Sequence, residues 1–189
     1  MKLLRNRVFA AVMMVTLILG AAAGGSCRSL LKISEKVQAV YNTGEDGLGS
    51  LPEYMAVCEI CADQLVRLGA EYLGEDAEAC RETAALLAAS ESAKQPADRY
   101  TANQKLTEAA ESLYLQIKTM PEVDDTDLEK AERLHAEIAG NGDRVERLSA
   151  QRRDAYNAAA EAFNKGPLRE IPGGLLAGLL GVERLEPVY

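Results

Sequence analysis

Tryptophan is absent from this chain, phenylalanine occurs twice, and His135 is the only histidine. With aromatics at 5% and few β-branched runs, little of the sequence suits a strand, so a sheet is excluded as the main layer. The single histidine and the single close cysteine pair, Cys58 and Cys61, fall short of the roughly four ligands of a structural zinc site. No strand pattern precedes Cys58-x-x-Cys61, so a thioredoxin-like redox reading lacks its context. No nucleophile elbow surrounds a serine that His135 could serve. Positive charge is also in deficit, with 21 Lys and Arg against 29 Asp and Glu and a net charge of −8. Lys2, Arg5 and Arg7 are the only charged residues in the first 25, so the remainder is more acidic than the whole. Such a body is a poor partner for nucleic acid or for an anionic lipid surface. Internal repeats and low-complexity segments are missing too. These deficits predict no catalytic residue, no cofactor and no metal ligand set.

What is present is helix-former composition. Ala and Leu dominate, interleaved with Glu, Arg and Gln, over 189 residues, enough for one domain with an appendage. The appendage is residues 1–25. After three basic residues, 8–25 carry no charge and span about 27 Å as a helix, enough to cross a bilayer core. Only Thr16 is polar, whereas a buried core helix would show a polar face. Three fates fit: a retained signal anchor, a signal peptide cleaved after Ala21-Ala22-Ala23, or a lipoprotein acylated on Cys27. The length favours the retained anchor. Arg28, Lys32 and Lys36 follow the span and almost balance the charge bias. A short basic N-terminus before an apolar run ordinarily stays cytoplasmic, which places the body outside.

Helical stripes follow. Leu30, Ile33, Val37 and Val40 recur in steps of three and four, so the apolar helix is expected to continue until 44–50, a glycine-rich stop. Pro52 suits the first turn of a second helix. That helix is expected to reach about Ser90 with Val57, Cys61, Leu65, Leu68 and Tyr72 inside, weakened at Gly69 and Gly74, with a kink or short break near Gly74. Gln95-Pro96 marks the next boundary. Leu106, Ala109 or Ala110, Leu113, Ile117 and Met120 make a third stripe that stops at Pro121. Thr126-Asp127-Leu128-Glu129 reads as a capping box. Beyond it Ala131, Ile138, Val145, Arg152 and Ala159 keep a seven-residue beat, accompanied by Leu134, Leu148, Ala155 and Ala162. The register holds across Gly140-Asn141-Gly142, so one coiled-coil-like helix from about Thr126 to Lys165 is expected, ended by Gly166-Pro167.

Several segments resemble the LemA family. Leu51-Pro52 stands where that family opens its second helix, and 102–109 resembles the start of its third. Met120-Pro121-Glu122-Val123 is similar to its Tyr-Pro-Glu-Leu corner. The stretch from Glu137 to Val145 resembles its Glu-Leu-Glu-Gly-Thr-Glu-Asn-Arg-Ile segment. Arg152-Arg153-Asp154-Ala155-Tyr156-Asn157 is similar to Arg-Arg-x-x-Tyr-Asn, and Phe163-Asn164 to the Tyr-Asn that follows. Residues 175–181 resemble Leu-Ile-Ala-Gly-Leu-Phe-Gly. The first bundle helix lacks the family's usual tryptophan, 44–50 replace its Arg-Asp-rich entry, and 165–171 are extra. The resemblance implies an all-α antiparallel, four-helix-type bundle over 26–189, with a Gly/Leu-rich tail at 172–189, behind a transmembrane segment at 1–25. It also implies a non-enzymatic envelope protein of a bacterial cytoplasmic membrane that works with other envelope proteins. The family-like motif residues are Arg153, Tyr156, Asn157 and Asn164.

Four features remain as candidates. Cys58 and Cys61, at i and i+3, face the same way and form a thiol pair, although small residues on a core-facing stripe explain them as well. In an exported body either could pair with Cys80. Arg152 falls on a core seam, where a guanidinium needs a partner. It can make an inter-helix ion pair or snorkel at the bundle end. His135 lies at a seam edge. The tail at 173–182 is expected to fold back over exposed bundle ends. A soluble or lipidated exported bundle that binds a ligand is the alternative to the anchored scaffold, and a thiol redox or metal protein is a third.

Overall fold

The computed structural model describes residues 25, 28–43, 48–169, 174, 177–178 and 182–189. The expected span at 8–25, apart from Gly25, the acylation candidate Cys27 and most of the Gly/Leu tail lie outside the described residues. No described helix is long and apolar enough to cross a membrane.

Among the described residues the protein is all helical, with five helices and no strand. They are α1 (28–42), α2 (Leu51–Leu73), α3 (Glu78–Ser92), α4 (Pro96–Thr119) and α5 (Asp125–Lys165). Local chemistry sets most boundaries. Pro52 and Pro96 occupy first turns, where a missing N–H costs nothing. Gly74, at φ +93°, ends α2, so the single helix expected to reach Ser90 is two helices. The capping box is corrected as well. Asp124, rather than Thr126, caps α5: its Oδ1 accepts the Asp127 N–H at 2.8 Å and its carbonyl the Leu128 N–H at 2.9 Å.

The chain divides into two compact units, Met1–Val37 with Ala158–Leu185 and Gln38–Asn157 with Glu186–Tyr189. The larger unit holds a helical bundle. In it α2, α3 and α4 pack against one another, and Ala131, Leu134 and Ile138 of α5 join their core. Leu65, Leu68, Leu106, Leu113 and Ile117 are essentially inaccessible. Each stabilises the fold by about 1.5–3 kcal/mol through burial. Gly142 is a packing residue: a Cβ there would come within 3.3 Å of the Thr107 methyl on α4. The glycines therefore do not interrupt α5, as its register predicts. One charged group is buried nearby. Glu59 accepts bonds from Arg99 Nη2 at 3.0 Å and Ser90 Oγ at 2.7 Å, so two helices share its carboxylate with α2.

The buried stripe of α5 holds its beat only as far as Arg152. It then moves to Tyr156, Ala160 and Phe163, while Ala155 and Ala162 are exposed and Ala159 is half-buried. A helix with 3.6 residues per turn drifts away from a strict seven-residue repeat, so steps of four replace steps of three. A similar shift affects α1, where Leu30, Ser34, Val37 and Tyr41 are buried and the expected Ile33 and Val40 are half-buried. In α2, Cys61, Leu65 and Leu68 are buried as expected, but Val57 and Tyr72 only partly so. The smaller unit buries Leu30, Val37, Ala160, Phe163, Ala177 and Leu185.

Candidate functional site

The densest polar constellation in the larger unit surrounds Arg152. The last carbonyls of α1 have no intrahelical donor, as at any helix C-terminus. Arg152, 4% exposed, supplies donors from α5: Nη1 reaches the carbonyls of Tyr41 at 3.3 Å and Asn42 at 3.1 Å. Its Nη2 donates to the Gly49 carbonyl at 2.8 Å. One planar guanidinium thus holds both sides of the α1–α2 connection. Two features favour Gly49 there. Its φ of +104° is a left-handed conformation, and a Cβ would lie 2.7 Å from the Tyr54 hydroxyl. That hydroxyl donates to the Leu48 carbonyl at 3.3 Å, which ties the connection to α2.

Tyr41 and Tyr156 meet beside this clamp with ring centroids 5.3 Å apart, and Tyr41 shares a 2.6 Å hydrogen bond with Ser149. Burial raises the pKa of both phenols, that of Tyr156 to about 12, and so keeps them protonated. The Tyr156 hydroxyl donates to the Glu186 carbonyl at 3.1 Å, and the Glu186 N–H donates to Gln95 Oε1 at 2.9 Å.

The two motif asparagines act on backbone. Asn157 Nδ2 donates to the Val188 carbonyl at 2.9 Å, and the Val188 N–H returns to Asn157 Oδ1 at 2.9 Å. In the smaller unit Asn164 makes the same pair of bonds with Leu185, at 2.8 and 3.0 Å. A side-chain amide carries a donor and an acceptor side by side, so it can substitute for a strand neighbour. Val188 and Leu185 are buried; most of 173–182, the segment expected to fold back, lies outside the described residues.

The other sequence candidates fall elsewhere. Arg153 is exposed beside Asp154 at 3.7 Å, a pair of little energetic weight. Cys58, Cys61 and Cys80 are buried and free, so neither disulfide considered for them is formed. Burial pushes the Cys58 thiol up to about 12 and raises those of Cys61 and Cys80, the protonated state that neither attacks nor binds metal. Cys58 Sγ donates to the Ile138 carbonyl at 3.7 Å. His135 stacks on Tyr114 with centroids 4.3 Å apart. Among the described residues no cluster of three or more His, Cys, Asp or Glu side chains could hold a metal ion.

Sequence reasoning missed Tyr41, Ser149, Gln95 and the Glu59–Arg99–Ser90 group. The one available signal was Glu59 itself, an acid between the buried Cys58 and Cys61. A model of the LemA family matches residues 61–189. No curated protein and no solved structure matches the chain.

Proposed function

The chain belongs to the LemA family, and from that premise we propose that it is a non-enzymatic, membrane-anchored scaffold of the bacterial envelope. In this reading an antiparallel, four-helix-type bundle is held to the cytoplasmic membrane by residues 8–25, with its body outside and other envelope proteins as its partners. One observation carries the scaffold role. The motif residues Tyr156, Asn157 and Asn164, with Arg152, bond backbone carbonyls and amides of their own chain. Those bonds rigidify a helical body and its last residues, which suits presentation of a surface. The anchor rests on the uncharged length of 8–25 and its basic flank.

The test is the membrane state of the full-length protein. Cells are fractionated and extracted with carbonate, the mature N-terminus is read by mass spectrometry, and intact cells are shaved with protease. An N-terminus at Met1 in the carbonate-resistant pellet, with the body cleaved from outside, is expected. A soluble chain starting near Gly24 would overturn the anchor, and so would a diacylglycerol on Cys27.

A further inference from the structure

Helix α5 sorts its charges by side. Asp143 and Glu146 line a groove against α4, opposite Glu108 and Glu111. Arg144 and Arg147 instead line a separate pocket of about 320 Å³ with Leu48, Tyr54, Leu148 and Gln151. This volume is at the lower end of ordinary ligand pockets. Positions i and i+3 share a helix face, so the two guanidiniums are neighbours of like charge, an arrangement that is unfavourable without an anion. Neither meets a carboxylate among the described residues. Arg144 lies 5.6 Å from the Tyr54 ring centroid and donates to Asn141 Oδ1 at 3.4 Å, while Arg147 Nε donates to the Asp143 carbonyl at 3.3 Å. These contacts orient both groups and, among the described residues, leave most of their five donors each unused.

The other walls are apolar or amide. Leu48 is 52% exposed and Leu148 is buried, and the Tyr54 ring is pinned by its bond to the Leu48 carbonyl. Gln151 adds one donor group and one acceptor. We propose that this pocket binds the free C-terminal end of a partner polypeptide whose last residue is apolar. The carboxylate lies in the guanidinium fork, which matches it in a bidentate way. The terminal side chain covers Leu48 and the Tyr54 ring, and Gln151 bonds the last peptide group. An inorganic anion would leave Leu48 uncovered, and a neutral apolar ligand would leave the two cations unanswered. The site lies within the larger unit and does not depend on the membrane anchor, so the two readings fail separately.

The test uses the full-length protein in detergent micelles, titrated with acetyl-Ala-Leu and with its C-terminal amide, and followed by ¹H–¹⁵N spectra that include arginine Nε–H signals. The free acid is expected to shift Arg144, Arg147 and Leu48 saturably. The amide is expected to bind at least about tenfold more weakly, since it loses charge-assisted bonds. Arg144→Gln and Arg147→Gln, both at exposed positions, should each weaken the acid by a similar factor and leave the rest of the spectrum in place. Leu48→Ser should reduce the preference for acetyl-Ala-Leu over acetyl-Ala-Gly. Equal binding of acid and amide would overturn the proposal, as would equal binding of phosphate. Acetyl-leucine binding as tightly as the dipeptide would overturn the polypeptide partner in favour of a small carboxylic acid.

Discussion

Arg152 shows how a charged residue in a core can spend donors on backbone carbonyls. Its position follows from sequence: the seven-residue beat through Ala131, Ile138 and Val145 leads to it. The carbonyls of Tyr41, Asn42 and Gly49 that receive its donors do not. Every residue has a carbonyl, and only the conformation of the α1–α2 connection aims these three at one point. A planar fork can reach all of them, whereas an ammonium is a compact point donor at the end of a flexible stem. Arg152→Lys should therefore behave more like a deletion than a conservative change. The expected loss is about 1.5–3 kcal/mol, the scale of hydrogen bonds to a charged group, read as a lower urea midpoint. A midpoint within about 0.5 kcal/mol of the parent, the range of an ordinary surface substitution, would show that the clamp is dispensable.

At the scale of elements, periodicity was a good guide to which helices exist and a poorer one to their phase. The continuity of α5 through Gly140–Gly142 was legible because two separate helices would keep one register only by accident. The handover from Ala155 and Ala162 to Tyr156 and Phe163 was not, since helical pitch and bulky side chains decide it jointly. The break at Gly74 was foreshadowed by a weak helix former, but its completeness depends on the left-handed backbone there. The asparagine bonds lay further out of reach, because a two-point amide-to-backbone bond leaves no spacing pattern. They make a sharp prediction. In Asn164→Asp the acceptor for the Leu185 N–H survives, but the donor to the Leu185 carbonyl becomes an oxygen of a carboxylate. One bond is lost and two acceptors face each other, a cost of about 1–3 kcal/mol. The protection factor of the Leu185 amide, its exchange relative to the intrinsic rate at each pH, should fall at neutral pH and recover in acid, as protonation restores a donor. An amide equally protected in both proteins at neutral pH would show that Leu185 is held by burial alone.

For the whole molecule, the all-helical class was readable from composition, while the Arg144–Arg147 pocket was not. Its walls come from two segments far apart in the sequence, 48–54 and 144–151, and on α5 alone the two arginines look like an ordinary solvated face. The thiols reverse that pattern. Cys58-x-x-Cys61 was the most conspicuous motif, yet in the fold it is core, and that burial has a global consequence. Cys58 holds its proton up to about 12 when folded, against an ordinary 9, and Tyr156 holds its proton up to about 12, against 10. Below pH 9 both states keep these protons, and the associated stability is fully present. Between 9 and 12 the unfolded chain releases them while the folded one does not, so stability falls by up to about 1.4 kcal/mol per pH unit for each such group. The urea midpoint should thus be flat from pH 7 to about 8.5 and decline above about 9. Between pH 9 and 10 the cysteines dominate, because the unfolded phenols have barely begun to ionise. Cys58→Ala can lower stability at every pH through lost packing, so its absolute midpoint decides nothing. The slope does. It should be shallower than that of the parent between pH 9 and 10, whereas equal slopes would show that Cys58 ionises as readily in the folded protein as in the unfolded chain.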